Sequence, residues 1–152
     1  MMIKKLFCAA ALALLITPTL HAQSFSVAYF PFNNAFSVTS NPERLFMVDL
    51  RLETNTFFGN INPEILALFN VKRAERINIY TGLGLKAVFI DGFNEQDVIG
   101  GYAVTFGARF KPFDKFEDLQ FLFELSPYLN SALESGTLRA YVGISYRFKK
   151  RN

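Results

Sequence analysis

Between residues 138 and 148 apolar and polar positions alternate without a break. Leu138, Ala140, Val142, Ile144, Tyr146 and Phe148 lie on one face, and Arg139, Tyr141, Gly143, Ser145 and Arg147 on the other. A period of two marks a β-strand whose faces meet different surroundings. One face is large and aromatic, while the other mixes small residues with arginine. That pairing suits lipid outside and a narrow polar interior inside.

The pattern recurs through most of the chain, and turn-forming residues cut it into about eight pieces. Residues 24–31 set Phe25, Val27 and Tyr29 against Ser24, Ser26 and Ala28, and after a turn at 31–34 residues 35–40 carry Phe36 and Val38 outward. Past Asn41-Pro42-Glu43, residues 44–55 oppose Phe46, Val48, Leu50 and Leu52 to Asp49, Arg51 and Glu53. A looser stretch at 56–62 leads to residues 63–72, with Ile65, Ala67, Phe69 and Val71 on one face. Residues 73–75 turn into 76–90, whose outward set is Ile77, Ile79, Leu83, Leu85 and Phe89. After an acidic loop at 91–97, residues 98–111 set Tyr102, Val104, Phe106 and Phe110 against Gly101, Ala103, Thr105, Gly107 and Arg109. A turn at 112–118 precedes residues 119–130, where Leu119, Phe121, Phe123 and Leu125 oppose Gln120, Glu124, Ser126 and Tyr128. The loop 131–136 comes before the last strand. No segment carries a helical period, and a phenylalanine-rich composition favours strands. The weakest element is the first hairpin: residues 35–40 fall short of the roughly 9–11 residues of a tilted membrane strand, and could borrow from 31–34.

Eight strands with short connections predict an all-β, antiparallel up-and-down barrel, since an open sheet of this kind leaves exposed edges. Two such barrels are compatible with one polar face. A soluble carrier barrel is apolar inside, and a transmembrane barrel is apolar outside. Side-chain size favours the second. Eight strands enclose only enough room for their own side chains, and the small residues Gly82, Gly84, Gly101, Gly107, Gly143, Ser126 and Ser145 share the polar face. Leu66, Leu68, Val88 and Leu122 are apolar exceptions on that face.

The N-terminus changes the composition that matters. Lys4 and Lys5 precede an apolar run at 6–16, and Pro18 and Ala22 follow, the layout of a signal peptide at 1–22 with a barrel domain at 23–152. Cys8 lies ahead of the apolar core, which argues against lipidation. Removing residues 1–22 of 152 leaves 130 residues without cysteine or histidine, and losing Lys4 and Lys5 lowers the formal charge from +3 to +1. Neither that charge nor export points to nucleic acid.

The end of the chain, Tyr141-Val-Gly143-Ile-Ser-Tyr146-Arg-Phe148, resembles the C-terminal signal of bacterial outer-membrane barrels, and residues 24–148 as a whole resemble the small eight-stranded members of that family. The resemblance implies recognition of Tyr141, Gly143, Tyr146 and Phe148 by the barrel-assembly machinery, and a monomer held by outer-membrane lipid. It also implies periplasmic turns at 41–43, 73–75 and 112–118, with short extracellular connections at 31–34, 56–62, 91–97 and 131–136. The chain departs from the pattern in its tail at 149–152, beyond the terminal aromatic.

Barrel enzymes of that membrane rely on histidine, which a mature chain of this composition lacks, so no catalytic residue is expected. Neither is a metal or cofactor: His and Cys ligands are missing, Asp91, Asn94, Glu95 and Asp97 read as a solvated loop, and Gly82-Leu-Gly84 lacks the third glycine of a nucleotide site. The one constellation with physical content is the set of inward charges Asp49, Arg51, Glu53, Lys86, Arg109, Glu124, Arg139 and Arg147. Their first reading is a polar plug that pairs across strands, giving a non-catalytic structural or surface-interaction protein. The alternatives are a narrow pore with anion preference, from the arginine excess, or a soluble lipid carrier.

Overall fold

The computed structural model describes residues 24–54, 61–87 and 99–149. Residues 1–22, which were expected to form a signal peptide, the loop at 91–97, Val88, Phe89, most of the connection at 56–62 and the tail at 150–152 lie outside them. Eight strands close into one antiparallel barrel in chain order: β1 (Ser24–Phe30), β2 (Ala35–Ser40), β3 (Phe46–Thr54), β4 (Ile61–Arg73), β5 (Ile77–Ala87), β6 (Ile99–Phe110), β7 (Leu119–Asn130) and β8 (Gly136–Lys149). β1 meets β8, with Phe25 opposite Phe148, and this pairing closes the ring.

The alternation read from sequence matches the two faces. Phe36, Phe69, Phe106, Phe123 and Ile144 are exposed on the outside, whereas Ser37, Asp49, Thr105, Glu124 and Ser145 are buried within. The apolar exceptions Leu66, Leu68 and Leu122 point inward as their parity requires, and they pack with Met47, Phe30 and the rings of Tyr80 and Tyr141. Boundaries move slightly. β4 starts two residues before Pro63, and Gly136 belongs to β8, not to the preceding loop. β2 stays at 6 residues, because 31–34 form a tight turn closed by Asn33 N–H donating to Phe30 O (3.2 Å), with Asn34 in the left-handed region at φ 47°. Asn41 fixes the next turn by accepting from Glu43 N–H through its side-chain oxygen (3.1 Å).

Inside, size is the limiting quantity. Gly107 lies directly under the Tyr80 ring, where a Cβ would come within 2.4 Å of the ring carbons. Gly143 of β8 does the same for Phe30 on the adjacent strand β1 (2.5 Å). Large rings and bare backbone interleave so that the polar groups between them reach one another. We predict that Gly107→Val, by lifting Tyr80 off its seat, destabilises the barrel by about 1–3 kcal/mol, the usual cost of overpacking. Urea titration of the folded form, followed by gel mobility, measures this.

Candidate functional site

The inward charges form three tiers along the barrel axis. At the end of the barrel that carries the 31–34 turn, Arg139 of β8 reaches across the lumen to β4. Its two terminal nitrogens donate to Glu64 Oε2 (2.9 Å) and Oε1 (2.8 Å), a bidentate pair, and one also meets Glu53 Oε1 at 3.2 Å. Glu53 further accepts from the Tyr141 hydroxyl (2.5 Å) and from Lys86 Nζ. The Arg139 guanidinium sits 4.8 Å from the Tyr128 ring centre. Strand direction explains the convergence: Glu53, Glu64, Lys86, Arg139 and Tyr141 all occupy inward positions on walls that close around one another.

The central tier is drier. Arg51 is fully buried and pairs with both Asp49 Oδ2 (3.1 Å) and Glu124 Oε2 (2.8 Å). Asp49 also accepts from the hydroxyls of Ser37 (2.8 Å) and Thr39 (2.7 Å), and Glu124 from the Tyr80 hydroxyl (2.5 Å). The Arg51 guanidinium lies against the Phe30–Tyr141 pair, at 4.8 and 4.6 Å from the ring centres, which are themselves 5.4 Å apart edge to face. Those faces meet the cation where no oxygen does. Arg109 is buried here too, over the Tyr80 ring at 5.5 Å and with Met47 Sδ 4.0 Å from one nitrogen. No ion pair to Arg109 is seen among the described residues; it supplies charge to the tier without touching a carboxylate.

The third tier stands at the opposite end, where Arg147 ties two turns together. Its Nε donates to Asp118 Oδ1 (3.0 Å) and it pairs with Glu43, which also accepts from Lys111 Nζ (2.8 Å). Arg147 is therefore brought together with turn residues and not with the other predicted lumen charges. Of the four terminal residues singled out by sequence, Tyr141 and Gly143 face the lumen. Tyr146 and Phe148 face outward, Phe148 stacked on Phe25 at 4.9 Å across the closing seam.

Glu64 was missed by sequence reading. It shares parity with Leu66 and Leu68, but a strand start at Pro63 makes it look terminal, and β4 in fact begins at Ile61. Its presence changes the electrostatics. Among the described residues of the upper two tiers, Asp49, Glu53, Glu64 and Glu124 face Arg51, Lys86, Arg109 and Arg139, so the arginine excess expected of an anion-selective lumen is gone. Among the described residues, no three His, Cys, Asp or Glu side chains are placed to hold a metal ion. Comparison with family models, with curated proteins and with solved structures finds no match. The functional argument therefore rests on this geometry.

Truncating Arg51 leaves two carboxylates facing each other in a dry interior. Arg51→Met should cost about 3–5 kcal/mol, and adding Glu124→Gln should recover part of it. A double-mutant cycle on urea midpoints tests both. Glu43 gives a pH signature. Burial disfavours its charged form, but the Lys111 hydrogen bond and the charge of Arg147 outweigh burial and hold the carboxyl below its ordinary value. A depressed carboxylate stabilises the fold above its unfolded-state pKa and loses that contribution as pH falls through the folded-state value. The difference in melting midpoint between the parent and Glu43→Gln should thus be full at neutral pH and shrink below about pH 4.

Proposed function

We propose that this protein is a non-catalytic barrel of a bacterial outer membrane, plugged by its own side chains, with a structural or surface-interaction role. The observation that carries this reading is the inverted polarity of the wall. Large apolar side chains cover the outside on every strand, and charges fill the inside. Soluble monomers rarely tolerate a contiguous apolar surface beyond a few hundred Å², and this one would encircle the molecule. Against lipid tails the same surface carries no penalty, and a closed sheet is one of the two ways to satisfy a backbone there.

The plug argues for a closed lumen. Arg51, Asp49, Glu64, Tyr80 and Tyr141 have next to no solvent contact, so no water-sized passage runs beside them. A carrier of apolar ligands needs an apolar cavity, and the inner face is charged instead. Catalysis draws no support from the upper two tiers either: their carboxylates are each engaged by a cation or a hydroxyl and buried. Export is supported by the basic and apolar layout of residues 4–22.

Fractionation of expressing cells, followed by electrophoresis with and without boiling, tests the proposal. The protein should sediment with the outer membrane, require detergent, and migrate differently once heat opens the barrel. Recovery as a water-soluble periplasmic protein would overturn the reading.

A further inference from the structure

Between the central tier and Arg147 lies a level of the lumen whose polar groups are short of partners. The register places it. Gln120 of β7 stands opposite Ser145 of β8, and Arg109 of β6 opposite Leu122, one inward step further up β7. Ser26 of β1 follows one inward step below Ala28, the residue that Ser145 faces. Four consecutive strands thus each bring one polar side chain to this level, and all four are buried. Arg109 reaches Met47 on β3, so its guanidinium lies across the lumen and not along its own wall. The hydroxyls of Ser26 and Ser145, both ends of the Gln120 amide and Arg109 Nε meet no hydrogen-bond partner among the described residues.

The level is covered from both sides. Above it sit Phe30 and Leu122, members of one buried apolar cluster. Below it Arg147 is tied to Asp118 and Glu43, and the turn that carries Glu43 is held down by Asn70, whose Nδ2 donates to Pro42 O (3.0 Å) and Arg44 O (2.5 Å). Burial makes the missing partners costly, most of all for a guanidinium. Arg109 enters the formal charge balance of the upper tiers, but their nearest carboxylates are taken: Asp49 by Arg51, Ser37 and Thr39, Glu124 by Arg51 and Tyr80. At the end of the barrel below, described residues 41–46, 70–76, 110–119 and 147–149 hold more Lys and Arg than Asp and Glu. The field at this level therefore favours a negative guest over a neutral one.

We propose that this level holds one small monovalent anion of about the size of chloride, bound by Arg109, Gln120 and a serine hydroxyl. Arg109 Nε–H and Gln120 Nε2–H donate to it, together with the hydroxyl of Ser26 or Ser145. The other serine donates to Gln120 Oε1, so every unpartnered atom of the four side chains is used. An oxyanion carries several oxygens and needs a donor for each. One donor from each strand, converging at one level, suits a single atom that accepts from every direction. The ion is seated and not conducted, because Arg147 and the Glu43 turn close the way below and the central tier closes it above. The inference concerns the interior alone and does not rest on the membrane reading.

Linkage between chloride and folding tests the site. The barrel is unfolded and refolded in urea, in detergent or in buffer alone if it proves water-soluble. Ionic strength is held constant while gluconate, too large for this level, is replaced stepwise by chloride. An ion bound only by the folded form raises the folding equilibrium constant up to about tenfold for each tenfold rise in chloride. Arg109→Met should abolish that dependence. Gln120→Leu, which keeps the guanidinium, should move it to several-fold higher chloride. Crystals grown in bromide should show an anomalous scattering peak within hydrogen-bond distance of Arg109 Nε. Equal stability in chloride and gluconate would overturn the proposal and leave water as the partner of these groups. So would a chloride dependence that survives in Arg109→Met, which would assign the ion to the exposed basic end. If Arg109→Met fails to fold, the Gln120→Leu shift and the bromide peak decide, and absence of both overturns the proposal.

Discussion

A charge sealed inside a closed sheet has no solvent to fall back on, and the rest of this molecule is arranged around that constraint. Arg51 is the clearest case. One terminal nitrogen of its guanidinium meets the carboxylates of both Asp49 and Glu124, and the Phe30 and Tyr141 rings pack against the cation. Those groups can be there only because the wall yields room. Gly107 admits Tyr80, whose hydroxyl then reaches Glu124; Gly143 admits Phe30, which then covers Arg51. The glycines set the ring positions, and the rings and acids together hold the cation. Each inward glycine is thus tied to a particular larger residue on a neighbouring strand.

The same arrangement explains why strand register is firmly specified. A slip of one residue would turn Asp49, Arg51 and Glu53 outward into an apolar surface and bring Val48, Leu50 and Leu52 into the lumen. A slip of two keeps the faces but parts Arg139 from Glu64 and Arg51 from Glu124. Hydrophobic burial, which fixes register in most sheets, is weak on the inner face of this barrel. Ion pairs and hydroxyl contacts take its place there, and they are more selective because each depends on length and angle.

Much of this was legible along the chain. Parity assigns the outward face along most of each strand, including the awkward inward positions Leu66, Leu68 and Leu122, and it breaks only where the register shifts, at Asn70/Lys72 and Lys86/Ala87 among the described residues. Pairing was less legible. Which cation meets which acid depends on how far apart two strands lie around the ring, and that is set by closure, a property of all eight strands together. Hence Arg147 could not be separated from the lumen group, nor Arg109 recognised as lacking a carboxylate partner among the described residues. Glu64 was hidden for a simpler reason: a proline near a strand start reads as a boundary, and edge or first-turn positions tolerate it. With Glu64 absent the lumen looked basic; with it the upper tiers balance.

The low wall and the upper charge tier belong to one solution. Where β1 and β2 stop, β8 continues and has no sheet partner on that side among the described residues. Arg139 bridges this gap through the lumen. From β8 it grips Glu64 on β4 and Glu53 on β3, the strands beyond the short hairpin, and Tyr141 adds a second link to Glu53. Side chains thus join β8 to β3 and β4 across a span that main-chain hydrogen bonds do not cover. This cross-link holds the upper part of β8 in the curvature of the barrel. The ion cluster that fills the interior therefore also braces the wall where the hairpin is short.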